Sequence, residues 1–212
     1  MELIAHRGYW KVDSEKNTLE AFRKAIDCNY GIEVDIRDHC GEIVISHDLP
    51  DANSPKLADL LCYYQEQKSD KLIAFNVKSC GLAKKLGELI RVFRIKNYFT
   101  FDMAIPDILD YYKRSLSAYV RISEFEELNA ALLDKATGVW VDGFFSTVTS
   151  YDFLKEIASQ KSLCFVSAEL HNRESIKEWE NIKQFCHHFN TNQFSICTDL
   201  PDEAEKFFNK ML

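Results

Sequence analysis

The sequence predicts an α/β protein, a single (β/α)8 TIM barrel in a small version with one short added strand after the second. Three observations carry that class. Short β-type runs alternate with longer helix-period runs from end to end. Strict alternation implies parallel strands covered by helices. Nearly every strand candidate also carries a polar residue at or just past its carboxyl end, where a parallel barrel assembles its site.

The eight strand candidates are Glu2–Ala5, Gly31–Arg37, Leu72–Val77, Tyr98–Phe101, Ser117–Arg121, Gly138–Asp142, Leu163–Glu169 and Phe194–Cys197. Glu42–Ser46 is the added strand, pairing locally after the Cys40-Gly41 turn. Between them lie amphipathic segments. Leu19, Phe22, Ala25 and Ile26 mark one apolar face, and Leu82, Leu86, Leu89, Ile90 and Phe93 another. Ile176, Trp179, Ile182, Phe185 and Cys186 make a third, and Ala204, Phe207, Phe208 and Met211 repeat the spacing near the end. Ser123 with Glu126 reads as a capping box, and Pro201 suits a first helical turn. With 212 residues and no linker, residues 1–212 read as one barrel domain.

Periodicity alone leaves a closed barrel and an open doubly wound sheet both standing. The strand-end residues separate them. In order they are His6, Glu33 with Asp35, Asn76 with Lys78, Asp102, Arg121, Asp142, Glu169 and Asp199. A barrel gathers such residues at one mouth, whereas an open sheet spreads them along an edge. Several have plain readings singly. Asp142 before Gly143 reads equally as a turn residue, Asp199 as a helix start, and Asp102 with Arg121 as an ion pair. As a group they need partners, because charges are rarely buried alone.

Glu33 and Asp35 are the sharpest pair. Their i, i+2 spacing aims both carboxylates to one side of a strand whose Ile32, Val34 and Ile36 point the other way. Two crowded like charges repel unless a cation lies between them or one is protonated. Hard oxygen donors of this kind suit Mg²⁺ or Ca²⁺.

Composition narrows the function classes. The hydrophobic share of 46% and charged share of 28% are ordinary for a globular protein. A net charge of −7 gives no support to nucleic-acid binding. The opening Met-Glu-Leu-Ile-Ala-His-Arg-Gly predicts neither a signal peptide nor a membrane span. Seven scattered cysteines, with no Cys-x-x-Cys pair, read as free thiols in a reducing cytoplasm rather than as disulfides or a structural zinc site. Seven glycines form no glycine-rich phosphate loop. His187 and His188 project about 100° apart on a helix, which suits a solvated face.

Four segments then occur in order: His6-Arg7-Gly8 after the first strand, Asn17-Thr18-Leu19-Glu20-Ala21-Phe22, Gly31-Ile32-Glu33-Val34-Asp35, and Ile45-Ser46-His47-Asp48. Together with Ile196-Cys197-Thr198-Asp199-Leu200-Pro201-Asp202 near the end, this set resembles the glycerophosphodiester phosphodiesterase family. The first half-hundred residues match most specifically and the rest mainly in layout. The resemblance implies a barrel phosphodiesterase in which His6 and His47 are the acid–base pair. Glu33, Asp35 and Asn76 would hold the divalent metal, and Arg7 and Lys78 the phosphate. Histidine suits both proton transfers near neutral pH.

Three departures bear on substrate. Lys16 stands where the family carries an acidic residue, with Glu15 one step back. Asn76 stands for the usual glutamate ligand, so the site has one negative charge fewer. Val166-Ser167-Ala168-Glu169-Leu170-His171 replaces a tryptophan-bearing segment, so Glu169 and His171, with Arg121, are expected to make their own substrate contacts. The expected reaction is metal-dependent cleavage of a small-molecule phosphodiester to an alcohol and a phosphomonoester, by water or by way of a cyclic phosphate. A non-catalytic barrel binding sugar phosphates or a protein partner, and Schiff-base chemistry at Lys78, are the competing readings.

Overall fold

The structure is a computed structural model that describes residues 1–146, 151–189 and 193–209. The strands are β1 (Glu2–His6), β2 (Gly31–His39), β3 (Glu42–Ile45), β4 (Ile73–Val77), β5 (Tyr98–Phe101), β6 (Tyr119–Ile122), β7 (Gly138–Val141), β8 (Ser162–Val166) and β9 (Phe194–Thr198). The helices are α1 (Leu19–Asp27), α2 (Leu57–Glu66), α3 (Ala83–Val92), α4 (Ile105–Lys113), α5 (Ala130–Lys135), α6 (Tyr151–Ala158), α7 (Ile176–His187) and α8 (Pro201–Asn209). All strands but β3 run parallel and are followed by a helix, the (β/α)8-barrel plan. β3 is the expected addition, antiparallel to β2. Among the described residues no helix is long and apolar enough to cross a membrane.

The chain forms two compact units, Ile4–Ala118 and Tyr119–Leu212 with Met1–Leu3, called here the N-terminal and C-terminal units. In the N-terminal unit β2 is central, paired with β1 through His6↔Glu33 and with β4 through Asp35↔Asn76. Residues 31 to 36 are buried on both faces, as expected for a parallel strand covered by helices. Thr18 caps α1 by accepting the Ala21 N–H at 3.2 Å. Helix α1 buries Ala21, Phe22, Ala25 and Ile26. In the C-terminal unit β6, β7, β8 and β9 pair in that order. Trp179, Ile182 and Phe185 of α7 are buried, whereas Ile176 is exposed.

Three expectations need correction. Ser123 and Glu126 start no helix: their backbones bridge each other at 3.1 and 3.2 Å, closing a tight turn. Helix α5 begins later, where the Asn129 side chain accepts the N–H groups of Ala131 and Leu132. Strand β6 starts at Tyr119 rather than Ser117, and β8 stops at Val166 rather than running to Glu169. There Ala168–His171 turns into a 3-10 helix, because the side chains of Ser167 and Glu169 hydrogen-bond each other and compete with strand extension. Met211 lies outside the described residues.

Candidate active site

In the N-terminal unit the register of β1, β2 and β4 brings together most of the residues singled out above. Glu33 and Asp35 are both fully buried, at 0% exposure. Asp35 Oδ2 lies 2.9 Å from Arg7 Nε and accepts from Asn17 Nδ2 at 2.8 Å. Its other oxygen is 3.5 Å from Lys78 Nζ, which also lies 3.7 Å from Asp102 Oδ2. Glu33 accepts the Arg7 backbone N–H at 3.1 Å and Asn76 Nδ2 at 2.9 Å. His6 Nε2 lies 4.0 Å from Glu33 Oε2.

The backbone is bent to make these contacts. Arg7 adopts φ 56°, in the left-handed region, which costs a non-glycine residue about 1 kcal/mol and turns its N–H onto Glu33. Gly8 follows at φ 90°, and a Cβ there would lie 2.8 Å from Ala21. Only glycine lets this turn pack on α1.

Burial is the main reason the Glu33 carboxyl is pushed above the usual range, with the neighbouring Asp35 charge adding to it. His6, Arg7 and the Asn76 amide pull the other way without prevailing.

Asn76 Oδ1 is buried and has no hydrogen-bond partner. With the Glu33 and Asp35 oxygens it makes a set of hard donors of the type Mg²⁺ or Ca²⁺ takes, so the residues fit such an ion in kind. Among the described residues no group of three His, Cys, Asp or Glu is placed to hold a metal, and the third oxygen donor here is an amide.

His47 follows β3. Ser46 N–H donates to the Asp35 carbonyl at 3.1 Å, and Arg37 Nε donates to the His47 carbonyl at 3.0 Å. These bonds anchor the segment beside the end of β2. His47 Nδ1 is 2.9 Å from Asp48 Oδ1. Lys16 is occupied locally, 2.8 Å from Asp13 and over the Trp10 ring at 4.1 Å.

The remaining expected residues lie in the C-terminal unit. Asp142 Oδ1 is 2.7 Å from His171 Nε2 and accepts the Gly143 N–H at 2.8 Å, while Oδ2 is 3.0 Å from Arg121 Nη1. Glu169 behaves differently. One oxygen accepts from Thr198 Oγ1 and from the Asp199 N–H at 3.1 Å. The other takes Ser167 Oγ, which in turn accepts from Trp179 Nε1 at 2.6 Å. His187 and His188 are exposed.

Some contributors went unassigned in the sequence. Asn17 lies in a quoted motif, but nothing in its type says that it clamps Asp35. Trp10 Nε1 donates to the His6 carbonyl at 3.0 Å and so fixes the catalytic candidate's backbone. Asp48 as the partner of His47 was readable from adjacency alone.

No protein-family model matches the chain, and no curated protein matches its sequence. Solved structures do match the fold. A glycerophosphodiester phosphodiesterase from Agrobacterium tumefaciens superposes with TM-score 0.66 at 13% identity, covering 98% of each chain. An Oleispira antarctica phosphodiesterase, solved with its product sn-glycerol-3-phosphate, gives 0.68 at 12% identity over 99% of this chain and 97% of that one. A glycerophosphoryl diester phosphodiesterase from Parabacteroides distasonis gives 0.69 at 12% identity over 100% and 87%. At such identities the likeness establishes the barrel fold.

Proposed function

We propose that the N-terminal unit's site cleaves a small-molecule phosphodiester to an alcohol and a phosphomonoester, with His6 and His47 moving the protons. The observation that carries this reading is the fully buried Glu33–Asp35 pair, bordered by two cationic side chains and an imidazole. The fold likeness to phosphodiesterases, and to one holding a glycerol phosphate, supports it.

Arg7 and Lys78 supply positive charge for the phosphoryl oxygens, where negative charge grows in the transition state. In the neutral tautomer that Asp48 favours, His47 Nδ1 donates and Nε2 carries a lone pair. That suits His47 to accept the proton of the attacking hydroxyl. His6 then protonates the leaving alkoxide as the P–O bond breaks. The attacking hydroxyl comes from water, or from a neighbouring substrate hydroxyl by way of a cyclic phosphate. Glu33, Asp35 and Asn76 Oδ1 would hold Mg²⁺ or Ca²⁺, which when bound supplies further neutralisation of the phosphate.

Of the three C-terminal-unit residues expected to touch substrate, Glu169 has its carboxylate engaged by Ser167, Thr198 and Asp199. Arg121 and His171, both against Asp142, are kept as ligand-binding residues within the C-terminal unit. The cytoplasm suits the chain's seven thiols, all free of disulfides.

Phosphorus NMR of the protein with a panel of glycerophosphodiesters and added Mg²⁺ or Ca²⁺ tests the proposal. Conversion to a phosphomonoester, directly or through a cyclic phosphate, is the expected result. Ligand binding with no turnover across the panel would replace it with the sugar-phosphate-binding reading.

A further inference from the structure

We infer that His171, oriented by Asp142, is the hydroxyl-recognition residue of a polyol subsite in the C-terminal unit. Asp142 is 5% exposed and follows directly on β7. Three donors surround it: the Gly143 N–H, the Arg121 guanidinium and His171 Nε2, at 2.8, 3.0 and 2.7 Å. A buried carboxylate so placed is an acceptor only.

That fixes the ring. Facing an acceptor, neutral His171 carries its proton on Nε2, and Nδ1 is left with a lone pair. Nδ1 makes no hydrogen bond to the described residues. The imidazole is also held from the side, with the Phe144 ring centroid 4.5 Å away. An oriented ring with an open lone pair selects ligands that bring a donor, as hydroxyls do.

The surroundings describe the rest of the ligand. Phe125 and Phe145 are 69% and 75% exposed and lie 5.8 Å apart, edge to face. Two adjacent exposed rings form a small apolar patch, of the kind that can cover a ligand's apolar face. The Phe145 backbone is also held in place. Both oxygens of Glu124 accept backbone N–H groups of Phe144, Phe145 and Ser146, at 2.8 to 3.0 Å. Apolar ring surface beside a hydroxyl acceptor and a guanidinium fits a sugar-like polyol, whose C–H face covers the phenylalanines while a hydroxyl donates to Nδ1.

The test uses the whole protein and does not read turnover, so it stands apart from the phosphodiester proposal. Long-range proton–nitrogen NMR of the histidine rings reports the His171 tautomer. Methyl glucoside is the probe, and its fully O-methylated form, which has no donor, is the control. The expected results are an Nε2-protonated ring and a saturable shift of Nδ1 with methyl glucoside. The control, which lacks all four hydroxyl donors, should bind weaker by at least roughly fivefold, the worth of a single neutral hydrogen bond. Asp142→Asn, which turns an N–H toward the ring and moves the proton to Nδ1, should abolish the preference. If that variant does not fold, His171→Phe keeps the ring shape without the nitrogen and should abolish it equally. An Nδ1-protonated ring in the wild type, no saturable response to methyl glucoside, or equal binding of the two probes would each overturn the inference.

Discussion

The two units bury strand-end carboxylates in opposite states of completion. In the C-terminal unit, both Asp142 oxygens and both Glu169 oxygens meet donors at short range. In the N-terminal unit, Glu33 and Asp35 are crowded together at full burial, burial pushes the Glu33 carboxyl above its usual range, and the Asn76 amide oxygen next to them is unpaired. The first arrangement is what a stable clamp looks like. The second costs stability and persists only where the surrounding structure over-determines it, as at sites of chemistry. A carboxylate at a strand end is therefore not itself informative. What matters is whether its lone pairs are already spoken for.

The sharpest way to break this contrast is at the histidines. His47→Ala is expected to lower phosphodiester turnover by about 10²-fold to 10⁴-fold, the usual worth of one general acid or base. Retained kcat would remove His47 from the proton path. The next largest effect is on the other unit. Glu169→Ala strands Ser167, Thr198 and the Asp199 N–H, and should destabilise the protein by about 2–3 kcal/mol. Chemical denaturation measures it, and a loss below about 0.5 kcal/mol would mean the clamp is dispensable.

Glu33→Gln should act with the opposite sign. A carboxyl whose folded pKa is raised is stabilising when protonated, so wild-type stability should climb as pH falls from neutral through the Glu33 titration. The glutamine removes a buried charge and, once the Asn76 amide turns over, can donate to Asn76 Oδ1, which now lacks a partner. The variant is expected to gain about 1–2 kcal/mol at neutral pH and to lose that part of the pH slope. Thermal melts across pH decide this, and a destabilised variant would contradict it. Asn76→Glu sharpens the same point from the other side. It restores a third carboxylate, so calorimetry should find Mg²⁺ or Ca²⁺ bound roughly tenfold tighter. Unchanged affinity would place Asn76 away from the ion.

The smallest effect concerns Glu124. Burial raises its pKa, but the N–H groups of Phe145, Phe144 and Ser146 outweigh that and hold it at about 2. A depressed carboxyl contributes stability that is present above its unfolded pKa and lost as pH falls through the folded one. Because Glu124 is solvent-exposed, Glu124→Gln should cost less than about 1 kcal/mol near neutrality. It should nonetheless loosen the Phe144–Ser146 segment, which amide hydrogen exchange would register.

The fold was legible because its evidence is local and repeated. The period-2 run of Gly31 to Arg37, the helical spacing of Leu19 to Ile26 and the Cys40-Gly41 turn each specify an element without help from elsewhere. Where local chemistry offers two uses of a side chain, the sequence does not choose between them. Ser123 and Glu126 have the spacing of a capping box, yet they close a turn because Asn129 caps the helix instead. Ser167 and Glu169 sit in an apolar run, yet they end β8 by bonding each other. The site was legible in its N-terminal unit because Glu33 and Asp35 violate the rule that buried strands are apolar. The partners that complete it, Asn17 and Trp10, come from a loop whose path only the folded backbone defines.

Single-turnover kinetics on one phosphodiester, run in parallel for the wild type, His6→Ala and Glu169→Gln, puts the contrast between the units to its most direct trial. The chemical step should fall by at least about 10²-fold in His6→Ala. In Glu169→Gln, assayed where it remains folded, the same step should stay within a few-fold of the wild type. A His6→Ala protein that turns over at the wild-type rate would contradict the assignment of chemistry to the buried Glu33–Asp35 site.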